Sequence, residues 1–167
     1  MKKSCIIVLV IMMLLSLVGC KSTLTSPDGL IEKAREEIPI SEATTIDMQI
    51  VGSIEKDENA LIWFMSGNEN QAHYYLPMEC ILKDSDKYEY VRVGKPIERE
   101  TNIVFYEWQG GYAFLVNNKN CKSIQITDRT GTHTEEIEET DFYPFIFYNE
   151  VIPLEYKFLN EAGDELK

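Results

Sequence analysis

The chain has 167 residues, 44% of them hydrophobic and 11% aromatic. With no long biased tract, that composition excludes a disordered or low-complexity polypeptide and fits one ordinary folded domain. Sixteen basic side chains face 28 acidic ones, a net charge of −12, and such a surface repels phosphate backbones, which argues against nucleic acid as a partner.

The first predicted element is a leader. Lys2 and Lys3 precede an apolar run from Cys5 to Leu15, which closes on Leu17-Val18-Gly19-Cys20. A basic start, a short apolar core and a small residue at the cut mark an export signal rather than part of the fold. As a helix, the 16 residues from Cys5 to Cys20 would reach only about 24 Å, against a hydrocarbon core of about 30 Å. They are too short for a comfortable span. The Leu-Val-Gly-Cys quartet resembles the lipobox of bacterial lipoproteins, a resemblance confined to the leader. It implies a diacylglyceryl group on the Cys20 sulfur and cleavage between Gly19 and Cys20. Residues 1–19 would then be the signal peptide, and Cys20 would hold the protein at the extracytoplasmic face of the cell membrane. Two acyl chains, at about 0.8 kcal/mol per buried methylene, make a firm anchor where one is marginal.

With Lys2 and Lys3 gone, 14 basic side chains face 28 acidic ones, a net charge of −14. Residues 20–26 read as a lipidated tether, and the six from Lys21 to Ser26 reach at most about 20 Å. The domain, residues 27–167, is therefore expected close to the bilayer.

A helix is predicted over 27–37. Ser26 suits the N-cap, Pro27 the first helical position and Asp28 the positive helix start. Leu30, Ala34 and Ile38 recur at four-residue spacing, and Pro39 ends the pattern. From Thr45 the period becomes two, with Ile46, Met48 and Ile50 alternating with polar residues. Ala60 to Met65 is continuously apolar, as in a strand buried on both faces. Ser66 to Asn70 has turn chemistry. Tyr74, Leu76, Met78, Cys80 and Leu82 mark a long strand in which Pro77 suggests an edge or a bulge. Tyr88 to Val93, Ile103 to Trp108, Tyr112 to Val116 and Lys122 to Thr127 follow as strands. Gln109-Gly110-Gly111 is the clearest hairpin signal. His133 to Ile137, Phe145 to Tyr148 and Pro153 to Leu159 complete the set, and Asn160 to Asp164 reads as a turn. The pattern predicts a mainly β domain with one short N-terminal helix, an antiparallel β-sandwich first. An antiparallel sheet covered by the helix, or a barrel, is the alternative.

Cys80 and Cys121 are the cysteines left after Cys5 departs and Cys20 is lipidated. An exported domain with two thiols invites a disulfide. Alternation turns Cys80 inward and Cys121 outward, away from Ile124 and Ile126, which disfavours the bridge unless the strand starts after Cys121.

Catalytic patterns are missing from the sequence. There is no G-x-S-x-G, no phosphate-binding glycine loop and no H-E-x-x-H. His73 and His133 read as structural or surface residues. His73 and Glu79 share a strand face but stand about 20 Å apart along a straight strand. Asp84-Ser85-Asp86 and Glu55 to Glu58 lack the calcium-loop pattern, and Glu135 to Asp141 reads as a solvated acidic run. No cofactor or metal is expected. The aromatics, from Trp63 to Tyr148, are expected to fill the core, with any exposed row able to dock a partner or stack on a sugar. These features predict a non-enzymatic, membrane-anchored binding domain whose partner is a protein or small ligand, with basic partners favoured by charge. The alternatives are an envelope-acting hydrolase that works through carboxylates and an acidic immunity or inhibitor protein.

Overall fold

A computed structural model describes residues 24–38, 47–68, 71–84, 87–138 and 144–166. The leader, the Gly19–Cys20 junction, most of the tether, Pro39, Thr45, Ile46, Ser85, Asp86 and 139–143 lie outside the described residues.

Chain order is β1 (Leu24–Thr25), α1 (Pro27–Glu36), β2 (Met48–Lys56), β3 (Asn59–Asn68), β4 (Gln71–Asp84) and β5 (Lys87–Val93). Then come β6 (Ile103–Trp108), β7 (Gly111–Val116), β8 (Ser123–Asp128), β9 (Gly131–Glu136), β10 (Phe145–Asn149) and β11 (Glu155–Leu159). The strands form three antiparallel sheets. Sheet A runs β1-β5-β4-β3-β2, sheet B β10-β7-β6 and sheet C β11-β8-β9.

The layers follow from which faces are apolar. In β3, Ala60, Ile62 and Phe64 pack with Leu30, Ala34 and Ile38 of the helix segment. The alternate residues Leu61, Trp63 and Met65 pack with Val104, Trp108, Ala113 and Leu115 of sheet B. That is why Ala60–Met65 is an unbroken apolar run: helix lies on one side and sheet B on the other. Sheet B is two-faced in the same way. Ala113 and Leu115 turn to sheet A, whereas Phe114 and Val116 meet Ile124 and Ile126 of sheet C. The molecule is thus mainly β and sandwich-like, with α1 laid over the outer face of sheet A.

The helix forms for the reasons its sequence gives. Ser26 caps it, its Oγ accepting from the Gly29 amide at 3.5 Å, with Pro27 in the first turn. Leu30 and Ala34 are fully buried, and burying a leucine side chain contributes about 1.5–3 kcal/mol. Lys33 places its ammonium 4.7 Å from the Tyr90 ring centroid, and Arg35 pairs with Glu32 at 2.7 Å.

Three expectations need correction. Ser66 and Gly67 belong to β3 rather than a turn. The pairing shifts between them, and Ser66 Oγ accepts the Tyr74 amide at 3.0 Å, so a side chain satisfies the group the bulge leaves over. Pro77 sits in β4, a central strand. Tyr75 exchanges both backbone bonds with Ile97, so the Pro77 nitrogen, two residues on, faces the same side. There β5 has already ended at Val93, and no ladder bond is lost. Cys121 is fully buried, not outward. β8 begins only at Ser123, so Cys121 lies in the preceding loop and is free of the strand's alternation.

Cys80 and Cys121 form no disulfide with each other. Cys80 belongs to the cluster under the helix and Cys121 to the cluster between sheets B and C. Burial raises the Cys80 thiol to about 12, with help from the Glu79 charge, and burial raises Cys121 to about 11. Only the thiolate reacts. A fragment of residues 21–167, folded, should therefore leave an aromatic disulfide reagent unreacted at neutral pH, and the same fragment denatured without reductant should titrate two thiols. A zero count on denaturation would reinstate the bridge.

Candidate functional site

Between β6 and the β4–β5 pair the chain leaves a groove of about 570 Å³ lined by Glu79, Arg92 and residues 105–110. Glu79 comes from β4 and Arg92 from β5, paired directly across the ladder. Glu79 has the parity of Tyr75, so it emerges on the sheet B side, where Tyr106 of β6 meets it. Gly94 lets this happen. A Cβ there would press on Pro77 at 2.7 Å and on the Tyr106 ring at 3.0 Å.

One carboxylate oxygen gathers the site. Glu79 Oε1 accepts from Arg92 Nε at 2.8 Å and lies 2.6 Å from an Arg92 terminal nitrogen. The Tyr106 hydroxyl donates to the same oxygen at 2.8 Å. The Glu79 side chain is 13% exposed and that of Arg92 64%, so the pair bridges the interior and the solvent. Charge-assisted bonds of this kind are shorter and stronger than neutral ones. Behind them Trp63 meets Tyr106 edge-on at 6.5 Å. Its buried indole N–H has no hydrogen-bond partner among the described residues.

Burial, then the hydrogen bond to Glu79 and its charge, push the Tyr106 phenol up to about 12. A free phenol titrates near 10. The stability tied to this shift is full below about pH 10 and is lost as pH rises toward about 12, because the unfolded chain ionises first. Tyr106→Phe should therefore remove a late step from the tyrosinate absorbance titration, near pH 12. Loss of an ordinary step near pH 10 would contradict the hydrogen-bonded geometry.

The arrangement can fix charge and orient a ligand's polar groups. Val104, Tyr106 and Trp108 face sheet A, so alternation turns Glu107 toward the sheet C side with Phe105. Both carboxylates line the groove, but the contacts to Arg92 and Tyr106 belong to Glu79 alone.

The chain matches no family model, and no curated protein or solved structure aligns with it significantly.

Other residues singled out from sequence fall elsewhere. His133, on β9, places Nε2 3.2 Å from Asn149 Oδ1, and Asn149 Nδ2 donates to the Val151 carbonyl at 2.5 Å. These bonds fix the start of the β10–β11 loop. The side chains of His73 and Asp84 lie outside the described ones. Glu55 to Glu58 form the β2–β3 hairpin end, where the Glu58 carbonyl accepts the Leu82 amide. Among the described residues no three His, Cys, Asp or Glu side chains gather to hold a metal ion. In the same residues no helix is long and apolar enough to cross a membrane. The aromatics divide as their strands do. Phe105, Tyr112, Phe114, Phe147, Tyr156 and Phe158 form one cluster between sheets B and C, with Phe105 and Tyr112 stacked at 5.2 Å.

The Glu79–Arg92–Tyr106 set was not found by motif reasoning. The available signal was one acid inside an otherwise apolar stretch, Leu76 to Leu82.

Proposed function

We propose that this chain is a lipid-anchored extracytoplasmic protein whose β domain binds a partner, without catalysing a reaction, close to the membrane surface. The observation that carries the reading is Cys20, placed directly after a short apolar leader in the lipobox pattern Leu17-Val18-Gly19-Cys20. The groove beside β6 supports the binding half. Its inner carboxylate is committed to Arg92 and Tyr106, an arrangement suited to a fixed recognition surface rather than to proton transfer.

One second reading has an observation in its favour. The net charge of −12 suits an acidic immunity or inhibitor protein that captures a basic toxin or enzyme. A complex of that kind should release in high salt. The hydrolase alternative would need paired acids available for proton transfer in a cleft, and Glu79 is already committed to Arg92 and Tyr106.

Cell fractionation tests the anchor. The unaltered chain should sediment with membranes and incorporate labelled fatty acid. Cys20→Ala should abolish the label and leave unprocessed precursor or released protein. Unchanged labelling and retention in the variant would refute the proposal.

A further inference from the structure

The backbone along the groove has its own chemistry. β6 is an edge of sheet B. The Asn117 amide donates to the Asn102 carbonyl, and Trp108 pairs with Gly111 across a two-residue turn. Residues alternate along an antiparallel ladder, so Val104, Tyr106 and Trp108 spend their amides and carbonyls on β7. Ile103, Phe105 and Glu107 turn theirs to the open side. Among the described residues no strand pairs with that side.

Edges are normally blunted by bulges, charges or brevity, and the others here are. β1 has two residues, and β2 is bulged between Ile50 and Gly52. β9 is a largely exposed polar run ending in Glu135-Glu136, and β11 carries the Lys157–Glu155 pair. β10 packs toward β2, where Ile146 lies against Gly52. By contrast β6, Ile-Val-Phe-Tyr-Glu-Trp, keeps an unbroken register with β7 and has one charge, Glu107. The groove lies along this edge.

We infer that the open edge of β6 takes an extended basic segment of a partner protein as a fourth strand of sheet B. This rests on the reading of the domain as a binding module. An added strand gains backbone bonds from Phe105 and Glu107 and alternates its side chains between two walls. One wall is Glu79, Arg92 and Tyr106. The other is the half-buried aromatic group Phe105, Tyr112 and Tyr156, in which Phe105 and Tyr156 meet at 5.0 Å. Charge selects a basic occupant. Arg92 is already neutralised by Glu79, so the exposed Glu107 carboxylate and the net charge of −12 set the sign of the field.

The test uses the full-length protein in detergent micelles and short capped peptides alternating lysine or glutamate with valine. The lysine peptide should bind and slow amide exchange at Phe105 and Glu107, and the glutamate peptide should not bind. Glu107→Pro removes an outward amide and a carboxylate without touching the β7 ladder and should weaken binding about tenfold, as expected for losing one neutral backbone hydrogen bond together with one charge. Glu107→Gln, which keeps the amide, should lose less and show a weaker salt dependence. Failure of the lysine peptide to bind, or protection that appears away from β6, overturns the inference. So does protection of the same amides by raised protein concentration alone, because the occupant is then a second copy. The exchange measurement on the unaltered protein stands even where the proline variant fails to fold. None of these outcomes touches Cys20 labelling, so strand addition and the lipid anchor fail separately.

Discussion

Phe114→Ala is expected to cost about 3–5 kcal/mol of stability, the range for removing a fully buried aromatic ring. Phe114 lies on β7, the middle strand of sheet B, facing sheet C, and it is fully buried. Five aromatic rings surround it, with Tyr156 at 5.5 Å, Phe158 at 5.9 Å, Tyr112 at 6.1 Å, and Phe105 and Phe147 each at 6.3 Å. No neighbour can collapse into the space, because each is itself tied to a strand. Against a total of about 5–15 kcal/mol, the loss would bring the domain close to unfolding. Urea denaturation should show a lower midpoint with an unchanged slope. Phe114→Leu, nearer in volume, should cost less than half as much. A loss below about 1 kcal/mol for the alanine variant would mean that sheet C is not held through this ring.

Gly111→Ala is expected to destabilise by about 1–3 kcal/mol, as overpacking does. A methyl group there would be driven into the Asn149 carbonyl oxygen and would meet the Tyr148 ring and hydroxyl at 2.9 Å. Asn149 is itself fixed by His133 and Val151, and the Tyr148 hydroxyl donates to the Trp108 and Gln109 carbonyls at 3.1 Å. The neighbours that must yield are therefore backbone or bonded side chain. Gly110, one residue earlier, faces open space and has φ +78. Its replacement by asparagine, which tolerates the left-handed region, should cost little. Paired thermal melts decide between them. Equal, small shifts for both variants would show that β7 and β10 are not packed as closely as described.

What could be read from the residues was the local part of the structure. The cap at Ser26, the Leu30–Ala34–Ile38 stripe and the Gln109–Gly110 turn each depend on a few adjacent residues, and each forms as expected. The two-sided burial of Ala60–Met65 was legible too, because it leaves a continuous apolar run. The third layer was not. A strand such as β7, Gly-Tyr-Ala-Phe-Leu-Val, reads as buried whichever sheets cover it. The Glu79–Arg92–Tyr106 contact joins residues 13 and 27 apart in sequence: strand pairing within sheet A sets Glu79 beside Arg92, and only the packing of sheet B on sheet A brings Tyr106 to them. Cys121 was misplaced for a related reason: alternation holds within a strand, and the residue stands just outside one. The bulge at Ser66 consumed residues that otherwise spell a turn, so β3 runs further than its composition suggests.

Cys20 is where the account is most exposed. The amino terminus of the native protein, purified from membranes of an expressing bacterium and measured intact by mass spectrometry, tests it most directly. The account predicts a chain beginning at Cys20 whose mass is raised by a diacylglyceryl group. A chain that still begins at Met1, or a processed terminus with no acyl mass, would contradict it.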